Sequence, residues 1–286
     1  MSKSAYIVAM PEARTTSVVF ASPHSGHDFA WSFLRRSVLD ERAIRSSEDA
    51  FVDQLFACAT DYGAPLLTCT APRAFIDVNR SIDELDPALI EGVGKSAHNP
   101  RVASGLGVVP RVVANGRAIY RGKITLREAK ARIDEYWHPY HDALTVLLDD
   151  SRALYGEAIL IDCHSMPREA IETISVAKGG LPDIVIGDRF GAAADGAILE
   201  MVEAAFHRAG LKTARNAPFA GGYVTQHYGR PARGQHVLQI EIDRSLYMNE
   251  TMIRPNGNFK AFEAVMRNVV AEISEIGRSR LALAAQ

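Results

Sequence analysis

Three stretches of this chain carry a histidine or a glutamate at the end of an apolar run that reads as a buried strand. They are Ser-Val-Val-Phe-Ala-Ser-Pro-His ending at His24, Ala-Ile-Leu-Ile-Asp-Cys-His ending at His164, and Val-Leu-Gln-Ile-Glu ending at Glu241. Ligands and chemistry in an open α/β sheet collect beyond the carboxyl ends of its strands. Histidine is the commonest metal ligand, and zinc takes it together with carboxylates. His24 and His164 therefore read as a pair of ligands, and Glu241 as a general base poised over an activated water. A third ligand should be a carboxylate. Glu48 and Asp49 both open the segment read as the next helix, where acids also answer the helix dipole. On residue chemistry alone, either would serve.

A second polar cluster runs Arg73-Ala74-Phe75-Ile76-Asp77-Val78-Asn79-Arg80. An arginine there can grip a carboxylate through two parallel N–H bonds. As a strand, the run sends Asp77 and Asn79 to one face and Arg80 to the other. Only a turn after Val78 brings Asn79 and Arg80 into one pocket. A competing reading makes Cys163 a nucleophile, with His164 or His227 as its base. The more ordinary fate of such a cysteine is that of a small buried hydrophobe.

Around these residues the elements alternate. Strands are expected at 17–22, 65–69, 74–78, 157–161, 183–186 and 236–242. Helices are expected at 47–62, capped by Ser46 or Ser47, and at 126–154, 193–209 and 258–276. Pro139 should kink or break the second of these helices. Residues 84–119 read as an irregular excursion with short elements, of the kind that forms a lid. The alternation implies a single α/β domain over residues 1–286, its mixed twisted sheet covered by helices on both faces.

The bulk numbers exclude several classes. The 286 residues hold 32 basic and 34 acidic side chains, a net charge of −2, so no long-range field favours nucleic acid or an acidic membrane. Hydrophobic content of 47% is that of a globular protein with a sizeable core. No apolar run approaches the roughly 18 residues of a membrane span. Cys58, Cys69 and Cys163 form no CxxC pair, which fits a reducing, cytoplasmic compartment.

Taken in order, Pro23-His24-Ser25-Gly26, Glu48-Asp49, Asp77-Val78-Asn79-Arg80, Asp162-Cys163-His164-Ser165-Met166, Gly187-Asp188-Arg189-Phe190-Gly191, Gly221-Gly222-Tyr223, His227-Tyr228-Gly229 and Gln239-Ile240-Glu241 resemble the N-formylglutamate amidohydrolase family. That family is similar in turn to the zinc carboxypeptidase and aspartoacylase group. The resemblance implies a phosphorylase/hydrolase-like, zinc-exopeptidase-like fold and one Zn²⁺, or another divalent ion, on His24, His164 and an acid. Asp49 is preferred to Glu48 because the family pattern keeps the second acid. It further implies Arg73, Asn79 and Arg80 at the substrate, with Arg121 or Arg230 holding a second carboxylate, and Glu241 as base. The reaction implied is hydrolysis of N-formyl-L-glutamate to formate and L-glutamate, with histidine breakdown as its setting. The alternatives are a related deacylase for another N-acyl amino acid or small amide, and a non-catalytic acyl-amino-acid binding protein on the same fold. The sequence leaves the oligomeric state open.

Overall fold

The computed structural model describes residues 4–94, 99–172 and 180–284. Seven strands form the main sheet: β1 (Tyr6–Ala9), β2 (Val18–Ser22), β3 (Leu66–Cys69), β4 (Ala158–Met166), β5 (Ile184–Gly187), β6 (Thr213–Arg215) and β7 (Gln235–Asp243). Their order is β1-β3-β2-β4-β7-β5-β6. β2, β4 and β7 run parallel, and β5 is antiparallel to β7, so the sheet is mixed. Helices are interspersed with its strands, so the architecture is α/β. The three strands that carry the candidate residues are thus neighbours. All five residues of β2 and all nine of β4 are buried, as continuous apolar runs in a covered parallel sheet should be.

Contacts within the chain gather in two compact units. One comprises Val8–Ser22, Phe51–Leu67 and Leu144–Gln286, and the other Met1–Ile7, Pro23–Ala50 and Thr68–Ala143. In the first, the helix Phe259–Ala284 buries Phe262, Met266, Val269, Val270 and Ile273, the spacing of one helical face. Each such side chain contributes on the order of 1.5–3 kcal/mol when fully buried. The helix lies close to the start of β2. Thr16 Oγ1 donates to Ser274 O at 2.7 Å, and a Cβ at Gly277 would stand 2.3 Å from Thr16 Oγ1 and 2.8 Å from Ser17 N.

In the second unit, Arg132 is buried over the Phe75 ring, 4.1 Å from its centroid, and donates to Phe75 O and the Tyr120 hydroxyl. The 84–119 stretch does contain only short elements, among them Ile90–Glu91 and Pro100–Ala103, with residues 95–98 outside the described part. Leu89, Ile90, Val108, Val109 and Ile119 are buried, so this stretch contributes to a core.

Three local expectations need correction. The helix expected at 47–62 is two short pieces, Val52–Leu55 and a 3₁₀ segment Ala57–Tyr62, and Ser46 donates backward to Ala43 O and caps neither. Phe51, at φ 68°, is left-handed and stops any helix from starting earlier. Residues 74–78 are not a strand but a series of turns. Pro139 does not break its helix: Leu126–Arg132, a π-helical turn Ile133–Trp137 and His138–Tyr155 follow one another without interruption. Proline has no N–H to give, and the turn just before it is widened, with His138 N donating to Ile133 O.

Gly277→Ala should lower stability by about 1–3 kcal/mol through overpacking. Urea unfolding of the variant checks this, and an unchanged midpoint would mean that the helix can move away from Thr16 at no cost.

Candidate metal centre

Pro23 ends β2 and turns the chain so that His24 is buried directly beyond the strand. The backbone of Asp49 is pinned there by a bond from its N–H to His24 O at 3.0 Å. Asp49 Oδ2 lies 3.3 Å from His24 Nδ1, while His24 Nε2 lies 2.7 Å from Asp77 Oδ1. The imidazole is thus held at both nitrogens. Asp77 is the hub of this arrangement. Its Oδ1 also accepts from Asn79 N, and its Oδ2 accepts from Arg73 Nε at 3.0 Å, with Arg80 Nε 3.8 Å away. Burial alone would push the Asp77 carboxyl up, but His24, Arg73 and Arg80 together bring it well below the usual carboxylate range.

Residues 73–80 lie in turns and bends, and Asn79 and Arg80 are both buried. Arg80 is buried, and its Nε donates to Leu106 O at 3.0 Å. Among the described residues its two Nη atoms bond no protein group, so the fork is available to a ligand. Burial also lowers its pKa, with Asp77 opposing and Arg73 and Arg101 adding to the effect.

On β4, alternation sends Asp162 and His164 to one face and Cys163 to the other. His164 is therefore inside the strand, which runs on to Met166 and does not stop at Ile161. Asp162 is wholly buried, and its Oδ2 lies 3.0 Å from His164 Nε2. That contact is misaligned for a hydrogen bond, and neither oxygen of Asp162 finds another partner among the described residues. Register places Glu241 of β7 beside His164 and Gln239 beside Asp162. Gln239 Nε2 donates to Glu241 Oε1 at 2.9 Å, and Gln239 Oε1 accepts from Gly222 N at 2.8 Å. Arg244 Nε donates to Ser165 Oγ at 3.1 Å.

His24, Asp49 and His164 form one buried group, each with a ligand atom within 4.8 Å of the others. Two imidazoles and one carboxylate are the donor set of a hydrolytic zinc site, with a coordination position to spare. Asp162 adds a second reason to expect a cation here, since a buried carboxylate without a donor is costly unless positive charge stands nearby. Glu48 is otherwise engaged: Arg45 Nε reaches both of its oxygens, at 3.2 and 3.0 Å.

Two other expectations do not meet at this place. Arg230 is exposed and donates to Gln226 O and Gly229 O at the end of the helix Tyr223–Tyr228. It bridges to Gln235, the first residue of β7, about 20 Å along the strand from Glu241 at ~3.3 Å per residue. Arg121 is exposed. Cys163 is fully buried on the far side of β4, and burial, with Asp162 adding to it, raises its thiol well above the ordinary value, which removes the thiolate that a nucleophile requires. Sequence reading missed the parts of Asp77, Asp162 and Gln239. The alternations Asp162-x-His164 and Gln239-x-Glu241 carried a signal for the latter two.

The model of the family described as N-formylglutamate amidohydrolase matches residues 16–248. The chain belongs to the N-formylglutamate amidohydrolase family. Within that family it is 30% identical over 237 residues to an N-formylglutamate deformylase of Pseudomonas putida, with 82% of each chain covered. It is 28% identical over 270 residues to one of Pseudomonas aeruginosa, covering 93% of this chain and 95% of that one. A crystal structure of N-formylglutamate amidohydrolase from Ralstonia eutropha superposes with a TM-score of 0.90 at 33% identity, covering 97% of this chain and 99% of that one.

Carboxylates that orient metal-bound histidines typically govern affinity by 10–100-fold. Asp77→Asn in this amidohydrolase-family chain should weaken Zn²⁺ binding by about that factor, as read by competition with a chromophoric chelator.

Proposed function

We propose that the chain hydrolyses N-formyl-L-glutamate to formate and L-glutamate, and that it does so with one divalent ion, Zn²⁺ first among candidates, held by His24, Asp49 and His164. The buried His-Asp-His group carries this reading, and membership of an amidohydrolase family supports it. A divalent ion bound there supplies Lewis acidity and lets water ionise near neutral pH. In this reading the side chains take the following roles. Glu241, beside His164 in the sheet, takes a proton from water as the water oxygen adds to the formyl carbon. It returns that proton to the amide nitrogen as the C–N bond breaks, so formate and glutamate leave. Arg80 offers its open Nη pair to a substrate carboxylate, with Asn79 beside it, and Arg73 holds Asp77 in place.

The partner implied is a small N-acyl amino acid. Among the described residues no helix is long and apolar enough to cross a membrane. The three cysteines are unpaired, which supports a reducing compartment such as the cytoplasm.

Removal of metal with dipicolinate should abolish hydrolysis of N-formyl-L-glutamate, and added Zn²⁺ should restore it. Full turnover in protein shown by elemental analysis to be metal-free would refute the metal route. Glu241→Gln keeps size and hydrogen-bonding reach but cannot accept the proton. It should lower kcat by roughly 10²–10⁴-fold with zinc content unchanged, whereas His24→Ala should lose metal and activity together. A panel of formyl, acetyl and succinyl amino acids tests the acyl group, and a preference for any acyl group other than formyl would redirect the assignment.

A further inference from the structure

The turns that carry Asp77, Asn79 and Arg80 lack strand pairing, so their carbonyls need partners from elsewhere. Three of those partners come from one helix. Arg132 Nη1 donates to Phe75 O at 3.0 Å, His141 Nε2 to Val78 O at 2.8 Å, and Trp137 Nε1 to Arg80 O at 2.9 Å. His141 packs against the Trp137 ring with centroids 4.0 Å apart, so the two donors brace each other. In a regular helix of 3.6 residues per turn, Arg132 and Trp137 would face directions about 140° apart. The π-helical turn Ile133–Trp137 closes one turn over five residues, and so delivers positions 132, 137 and 141 to a single segment. The irregular turn matches the spacing of the carbonyls it serves.

We propose that Trp137 and His141 are positioning residues for substrate binding: through the carbonyls of Arg80 and Val78 they fix the backbone from which the Arg80 guanidinium reaches the substrate carboxylate. The inference rests on the assignment of Arg80 made above. Neither residue touches substrate. Each acts by holding a peptide plane, and a small tilt of the Arg80 peptide displaces the guanidinium at the far end of its side chain by a larger amount.

The test uses the full-length, zinc-loaded protein, with N-formyl-L-glutamate as substrate. Trp137→Phe keeps the ring and deletes the donor. It should raise KM by about tenfold, the scale of one lost hydrogen bond that orients a charged group, with kcat within about twofold of wild type. His141→Leu should do likewise, and His141→Gln, whose amide can still donate to Val78 O, should recover most of the wild-type KM. Arg80→Ala should raise KM further, and Trp137→Phe added to Arg80→Ala should raise it no more. A wild-type KM in Trp137→Phe, or an equal further rise when it is added to Arg80→Ala, would overturn the inference. Should Trp137→Phe fail to fold by circular dichroism, the His141→Leu and His141→Gln pair decides the matter by the same KM criterion. If Arg80→Ala itself leaves KM unchanged, the assignment of Arg80 is wrong and the inference falls with it. If Arg80→Ala raises KM while the helix variants do not, only the inference falls.

Discussion

A buried negative charge at Asp77 is the constraint from which most of the candidate site follows. Placing an ionised carboxylate away from water costs several kcal/mol unless donors surround it. Asp77 meets that requirement with His24, Arg73 and the backbone of Asn79, and Arg80 stands close by. Each partner is fixed in return. His24 loses its ring freedom, which leaves Nδ1 facing Asp49. The backbone must bend between Asp77 and Asn79, because an extended chain would send their neighbours to opposite faces. Once bent, the segment has no sheet to bond with, and its carbonyls turn to a helix that is itself irregular. The arginine fork, the histidine orientation and the π turn can therefore be read as consequences of one acid.

The strands were legible because burial on both faces leaves an unbroken apolar signature. Val18–Ser22, Ala158–Ile161 and Val237–Ile242 could be read directly, and with them the residues at their ends. The helix around Val269 was equally plain from its periodicity. What failed was local and polar. Ala74–Val78 alternates like a strand, but the alternation there comes from Phe75 packing on Arg132 and Ile76 entering a core while the backbone makes turns. The helix expected at 47–62 showed a helical stripe, yet the positive φ of Phe51 and the pinning of Asp49 to His24 O are tertiary facts that no window of residues reveals. Near Pro139 the rule that proline breaks helices met a turn wide enough to absorb it.

Long-range partners were the least legible part of the site. That His164 would stand beside Glu241 follows only from the parallel register of two strands more than 70 positions apart in sequence. Register also separates the two roles that β4 might have played. Cys163 and His164 are adjacent in the chain and opposite in space, so the same strand that presents an imidazole to the group with Asp49 buries a thiol on its other face. The pleat alone sets the imidazole and the thiol on opposite faces here.

The side chain of Gln239 carries one more consequence. An N–H can only donate, so Gly222 obliges Gln239 to turn its oxygen that way and its NH₂ toward Glu241. An amide locked in this sense cannot flip, and it donates permanently to Oε1. Of the two oxygens of Glu241, Oε1 is thereby kept as an acceptor, and in the proposed role a transferred proton would rest on the other. The backbone amide of Gly222, acting through Gln239, thus gives the carboxylate a handedness.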